Sequence, residues 1–179
     1  MPVGRGRYGE VMTSAGPNEQ RQQPERRRPV LLVVHHTASP ATQTLLEAAL
    51  DGAKAEGLEG VEVRVKPALA ATALDVLDAD AFLLGTPANI GYMSGALKMF
   101  FDGVYYPTLV AKTGAPYGLY VHGNNDTTGA IRAVESIAKG LGWQRVHEPV
   151  TVVGAPDKQA TEAVWELAAT VAASLIGPD

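Results

Sequence analysis

The chain has 179 residues, 46% of them hydrophobic, a formal net charge of −4 and no cysteine. That length supports one domain with a real core, and the lack of cysteine excludes disulfides, thiolate nucleophiles and cysteine-based metal sites. No apolar run approaches the roughly 18 residues of a membrane span and no signal-peptide apolar stretch is visible, so a cytoplasmic location with no membrane partner is expected.

The charge is uneven. Residues 1–29 hold six arginines and three acids, +3, which leaves −7 for residues 30–179. The first 29 residues carry no periodic apolar positions, so they read as a disordered basic tail, with one folded domain over 30–179. The folded part is acidic, so no nucleic-acid partner is expected despite the run Arg26-Arg27-Arg28. Gly4-Arg5-Gly6-Arg7-Tyr8-Gly9 matches a dinucleotide fingerprint in letters only. No strand precedes it, so no helix end is set up to donate N–H groups to a pyrophosphate.

From Val30 the pattern alternates. Val30-Leu31-Leu32-Val33-Val34 is a continuous apolar run, as expected of a strand buried on both faces. Leu45, Leu46, Ala49, Leu50 and Ala53 recur at helical spacing, with Gly57 as a stop. Val61–Val65 alternates with period two, which suits a strand near an edge. Thr72–Leu77 reads as a short helix, Ala79–Leu84 as the third strand, and the chain then turns helical through about Phe101. Tyr117–Val121 is the fourth strand. Ile131, Val134, Ala138 and Leu141 mark a helix closed by Gly142. Val146–Val153 is expected as a single fifth strand, and Val164 to Leu175 as the last helix.

Strands alternating with helices predict an α/β fold with a parallel sheet covered on both faces. Such sheets bind ligands at the carboxyl ends of their strands, beside the switch in strand order. The loops after strands one, three and four are HTASPATQ, GTPANIGYMSG and HGNNDTTG, and they carry almost no charge. In the first, Thr37, Ser39 and Thr42 place three hydroxyls around the start of a helix expected at about Thr42. The N–H groups and dipole there favour an anion such as a phosphate. The competing reading is that Ser39 or Thr42 caps the helix, with Pro40 in its first turn. No Walker-type P-loop exists in the chain.

TASPAT resembles the T/S-x-T-G-x-T phosphate loop of flavodoxin-like proteins. GTPANIGYMSGALKMFFD is similar to a segment of the flavin-dependent NAD(P)H:quinone reductases and NADPH-dependent FMN reductases. This resemblance covers residues 30 to about 176. It implies a flavodoxin-like three-layer sandwich, a five-stranded parallel sheet of order 2-1-3-4-5 with helices on both faces. It also implies bound FMN, with NAD(P)H as co-substrate, and reduction of quinone-like acceptors. A non-catalytic electron carrier serving a redox partner protein is the alternative, and a homo-oligomer stays open. By the same resemblance Thr37, Ser39, Ala41 and Thr42 would hold the phosphate. Thr86, Pro87, Ala88, Asn89, Ile90 and Gly91 would wrap the flavin ring, with His122, Gly123, Asn124 and Asp126 from the third loop. Two departures stand out. Pro40 replaces a glycine of the phosphate loop and removes one N–H, and the third loop is shorter than that of the quinone reductases.

Other residues have simpler readings. His35 and His36 are adjacent at a strand end, so their side chains point to opposite faces and no shared metal is expected. His122 and Tyr92 are candidates to border the pocket, and His147 is expected on a solvated strand face. Ser94 lacks the surroundings of an esterase nucleophile and is expected, with Gly95, to start the third helix. Lys98 and Asp102 read as an exposed i,i+4 ion pair, and Trp143 and Trp165 as packing residues.

Overall fold

The computed structural model describes residues 27–177. Most of the basic tail expected over 1–29 therefore lies outside the described residues. Its last part is held: Arg27 donates to Asp80 Oδ1 at 2.9 Å and to the Asp78 carbonyl at 3.2 Å.

Strand β1 (Val30–His35) is followed by helix α1 (Pro40–Ala53), then by β2 (Glu62–Pro67), α2 (Ala73–Asp78) and β3 (Ala81–Asn89). A two-residue strand, β4 (Tyr92–Met93), precedes α3 (Gly95–Thr108), β5 (Pro116–Gly123) and α4 (Thr128–Gly140). Two short strands, β6 (Gln144–Arg145) and β7 (Val150–Val153), lead to α5 (Lys158–Ala173). The parallel order runs β2-β1-β3-β5, and both β6 and β7 pair with β5. The sheet thus has seven strands rather than the expected five.

Two differences from the sequence reading have clear causes. The expected single strand over 146–153 is broken between Val146 and Pro149. Val146 still donates to Tyr117, but Pro149 has no N–H for the ladder. His147 consequently sits in the break, not on a strand face, with Nδ1 2.7 Å from the Glu148 carbonyl. The second difference is at 85–93, expected as a loop. Here β3 stays paired with β5 as far as Pro87 opposite His122. It then returns through Ile90-Gly91 as a hairpin onto β4. Both turn residues have positive φ, 51° and 70°, the geometry of a type I′ turn, whose twist matches the paired strands.

Alternation along the strands fills two cores. Leu32, Val34, Phe82, Leu84, Leu119 and Val121 face α2, α3 and α4. Leu31, Val33, Leu83 and Tyr120 face α1 and α5. Trp143 stacks on Phe82 with ring centroids 3.9 Å apart and anchors the first core. Trp165 is exposed on α5, but its backbone presses on Gly52 of α1, where a β-carbon would meet the Trp165 carbonyl at 2.1 Å. Lys98 and Asp102 form the expected exposed pair at 2.6 Å. All the central strands end on the same side, and that end carries the cleft.

Candidate cofactor-binding site

A cleft of about 720 Å³ opens at the carboxyl ends of β1, β3, β5 and β7. One wall is Ala38–Ala41 with Thr44, where β1 gives way to α1. Pro87–Asn89 from β3 and His122–Asn124 from β5 form the next, and Gly154–Pro156 after β7 closes the far side. Among the described residues this lining holds no charged side chain and no phenylalanine, tyrosine or tryptophan. The size lies within the range of small-molecule and cofactor sites, and small apolar walls with a few polar groups are their usual make-up.

The α1 wall is built by its cap. The helix begins at Pro40, earlier than expected, with Ser39 as N-cap. Ser39 Oγ accepts from Thr42 N–H at 3.2 Å. Thr42 Oγ1 accepts from the N–H groups of Ala38 and Ser39 at 3.0 and 2.9 Å and donates to the Ser39 carbonyl. Thr42 is only 3% exposed, so its hydroxyl shapes the loop from behind. Ser39 and Ala41 line the cleft directly. With Pro40 lacking an N–H and Thr42 N–H already bonded, the Ala41 N–H is the first-turn donor without a partner among the described residues. Thr37 Oγ1 lies 2.8 Å from His35 Nδ1.

On the β3 side Pro87, Ala88 and Asn89 face the cleft. Thr86 does not. Its buried hydroxyl donates to the Pro87 carbonyl at 2.9 Å and accepts from Ser94 N–H at 3.1 Å, which ties β3 to the start of α3. Ser94 caps that helix through Leu97 N–H at 3.2 Å, as expected. Ile90 and Gly91 line an adjoining hollow with Asn124, Asn125 and Asp126. Asp126 Oδ1 accepts from Thr128 N–H and Oγ1 at 2.9 and 2.6 Å. These bonds hold its carboxyl below the usual range. Tyr92 lies elsewhere, in a groove with Gly129, Arg132 and Ile137 against α4.

His122 Nε2 lies 2.8 Å from the Gly154 carbonyl. A carbonyl only accepts, so Nε2 carries the proton, and the ring joins β5 to the far wall. Of the residues singled out from sequence, Ser39, Ala41, Pro87, Ala88, Asn89, His122, Gly123 and Asn124 meet around the cleft. Thr37, Thr42, Thr86, Ile90, Gly91, Asp126 and Tyr92 are not in its lining. Gly154, Ala155 and Pro156 were missed, although the same rule that picked the other strand ends applies to the end of the last strand.

No family model matches the chain. A segment of 74 residues is 42% identical to a protein of Aquifex aeolicus (strain VF5) named Flavodoxin, covering 41% of this chain and 39% of that protein. A flavodoxin from the domain Archaea superposes with a TM-score of 0.70 at 17% identity, over 83% of this chain and 99% of the other. The fold is flavodoxin-like. A WrbA-like flavodoxin from Agrobacterium tumefaciens matches with a TM-score of 0.67 at 18% identity, over 82% of this chain and 97% of the other. Two-electron reduced Megasphaera elsdenii flavodoxin matches at 0.67 and 19%, over 80% and 98%. Within this flavodoxin-like frame the residue order around the cleft follows the strand order.

The cleft suits a planar mononucleotide. Its walls are small and uncharged, and the unpartnered Ala41 N–H and the Ser39 hydroxyl stand at the positive end of α1. Among the described residues no group of three or more histidine, aspartate or glutamate side chains could hold a metal, and no helix is long and apolar enough to cross a membrane.

Proposed function

We propose that the chain binds FMN in this cleft and works as an electron-transfer protein of the flavodoxin type, exchanging electrons with a redox partner protein. The observation that carries this reading is the 720 Å³ cleft at the sheet's carboxyl end, walled by α1's first turn and by Pro87–Asn89. The flavodoxin-like fold and the segment shared with a named flavodoxin support it.

The chain's own residues have distinct tasks. Ser39 and the Ala41 N–H hold the phosphate, and Thr42 fixes the loop that presents them. Pro87–Asn89 and Gly123–Asn124 offer backbone and small side chains to a flat ring. His122 sets the far wall by donating to Gly154. Bound FMN would supply the one- and two-electron chemistry, while the protein supplies position and electrostatics.

A second reading is an NAD(P)H-dependent reductase acting on quinone-like acceptors. The observation in its favour is the lack of an aromatic side chain in the cleft lining. An uncovered ring face leaves room for a nicotinamide at near-attack distance. The deciding experiment follows flavin absorbance of the FMN-loaded protein without oxygen. Reduction by dithionite but not by NADPH or NADH supports the carrier. Rapid bleaching by a pyridine nucleotide, reversed by a benzoquinone, supports the reductase. A protein that retains no flavin after reconstitution overturns both.

A further inference from the structure

We propose that the outer face of α2 and α3 pairs with the same face of a second copy of this chain, with the two α3 helices crossing antiparallel at Gly103. The product is a two-fold dimer in which Tyr106 of each copy fills the groove between α2 and α3 of the other.

Gly103 stands in the middle of α3, although glycine is the poorest helix former after proline. The other glycines within helices are explained by contacts inside the fold. A β-carbon on Gly52 would strike the Trp165 carbonyl, one on Gly129 the Gly91 carbonyl, and one on Gly140 the Tyr105 hydroxyl. Gly95 is the first residue of α3. A β-carbon on Gly103 meets nothing within 4 Å among the described residues, so the fold of a single copy does not require glycine there. What glycine permits at such a position is close approach of another backbone. Beside it runs a groove of about 220 Å³, with Leu69 and Ala73 on the α2 side and Met99, Phe100 and Val104 on the α3 side.

The surface around the groove is apolar. Leu69 before α2, Leu74 on α2, and Met99 and Tyr106 on α3 are 69, 72, 65 and 81% exposed. Met99, Gly103 and Tyr106 recur at i, i+4 and i+7, so they form one outward stripe. Four large side chains at these exposures reach the upper end of the ~300–600 Å² that the largest apolar patch on a monomer spans. With the rim around them they approach the ~800 Å² that each partner gives to a standard interface. Every charged residue of α2 and α3 is already paired within the chain: Asp75 with Lys66, Asp78 with Arg64, and Lys98 with Asp102. The face therefore has no free charge with which to select a charged partner, and methionine and tyrosine without charge are the usual make-up of an interface core. Protruding side chains and a recess lie on the same surface, as an isologous contact needs, because each copy supplies both. With the axis at Gly103, residues three beyond it in one copy face residues three before it in the other. Tyr106 thus comes over Phe100 and into the groove. The cleft is walled by α1 and by strand ends, not by this face, so pairing leaves its mouth free.

The test is sedimentation of the full chain from about 0.1 to 100 μM, since interfaces of this size bind anywhere from μM to pM. A dimer is expected, and three variants locate its interface. Met99→Glu places an uncompensated charge in the contact and should weaken association by about a hundredfold or more, with the circular dichroism of the folded chain unchanged. Gly103→Ala has room for its methyl group in one copy and favours helix. It should leave the monomer at least as stable as the wild type yet weaken the dimer roughly tenfold, because the crossing point is overpacked. The chain has no cysteine, so Gly103→Cys carries a single thiol. Under mild oxidation it should give a covalent dimer, because the crossing brings the two copies of this position within the ~4.4–6.8 Å that a disulfide spans between α-carbons. Ser136→Cys, exposed on α4, should not. A chain that stays monomeric at the highest concentration overturns the proposal, whether residues 1–26 or a different protein covers this face. A dimer that Met99→Glu and Gly103→Ala leave intact, and that Gly103→Cys does not cross-link, overturns it as well, because its interface lies elsewhere. Should Met99→Glu misfold, Gly103→Ala and the cross-link decide.

Discussion

A β-carbon on Gly129 would lie 1.9 Å from the carbonyl oxygen of Gly91. The first turn of α4 therefore presses directly on the tip of the β3–β4 hairpin, and only glycine fits there. The contact fixes where Asn89 and Ile90 stand at the edge of the cleft. In Gly129→Ala the hairpin must move, because the obstacle is backbone and cannot rotate away. Overpacking of this kind costs about 1–3 kcal/mol, and each kcal/mol lowers Tm by about 2–4 °C in a chain of this size. FMN affinity should fall as well, by about tenfold. Denaturant unfolding and flavin titration check the two parts, and wild-type values for both would show that the tip is free to shift.

Thr42 binds the loop together where sequence alone left two roles open. Its buried hydroxyl holds two N–H groups and donates to the Ser39 carbonyl. Thr42→Ala leaves those donors without a partner, which costs about 1–3 kcal/mol of stability. FMN should weaken roughly tenfold or more as the phosphate wall loosens, and riboflavin should be nearly unaffected. An equal loss for both ligands would place the phosphate elsewhere. Thr42→Ser, which keeps the hydroxyl, should recover most of the loss.

Much of this architecture was legible in the residues. Apolar runs such as Val30–Val34 and Ala81–Leu84 gave the central strands, because a strand buried on both faces has no polar side to interrupt it. A glycine just past a helix end gave one boundary, at Gly142 with φ 76°, whereas α1 already ends at Ala53 with Lys54 as its C-cap, before the expected stop at Gly57. The hairpin at 88–93 was hidden because Gly85, Pro87 and Gly91 read as loop, while pairing to β5 keeps that stretch extended. Pro149 carried the signal for the broken last strand, but the valines on either side masked it. Thr42 and Thr86 look alike in sequence to ligand-facing hydroxyls. The inward bond of Thr86 depends on backbone eight residues on, the Ser94 N–H, which no local pattern encodes. Thr42 bonds only to its neighbours Ala38 and Ser39 as part of the helix cap, a role its spacing from Ser39 allows but does not single out from ligand binding.

His122 and Gly154 tie β5 to the segment that precedes α5. Removing the ring in His122→Ala deletes one hydrogen bond, worth about 0.5–1.5 kcal/mol. The expected result is a few-fold weaker FMN affinity, and faster amide exchange at Gly154, Ala155 and Asp157. His122→Gln, which can donate to the same carbonyl, should restore part of both. Unchanged exchange in His122→Ala would mean that the far wall stands without this bond.

Ile90 is a β-branched residue at φ 51° whose side chain is fully exposed, at 105% of its reference area. Both facts are unfavourable. A left-handed backbone costs an ordinary residue roughly 1–2 kcal/mol, and an exposed isoleucine gains nothing from burial. Asparagine tolerates this conformation far better, and Asn-Gly is the favoured pair for a two-residue type I′ hairpin. No packing is lost on replacement, because the side chain touches solvent. Ile90→Asn should therefore stabilise the ligand-free protein by about 1 kcal/mol, raising Tm by about 2–4 °C. Strained residues persist where function requires them, and under the FMN reading that function is apolar cover for the flavin ring. The same variant should then bind FMN and riboflavin several-fold more weakly, to the same degree, since the ring is common to both. A thermal melt of the flavin-free protein and paired titrations with the two ligands separate the effects. Higher Tm with unchanged binding would show that Ile90 does not cover the ring. Lower Tm would show that the turn is not strained by isoleucine at this position.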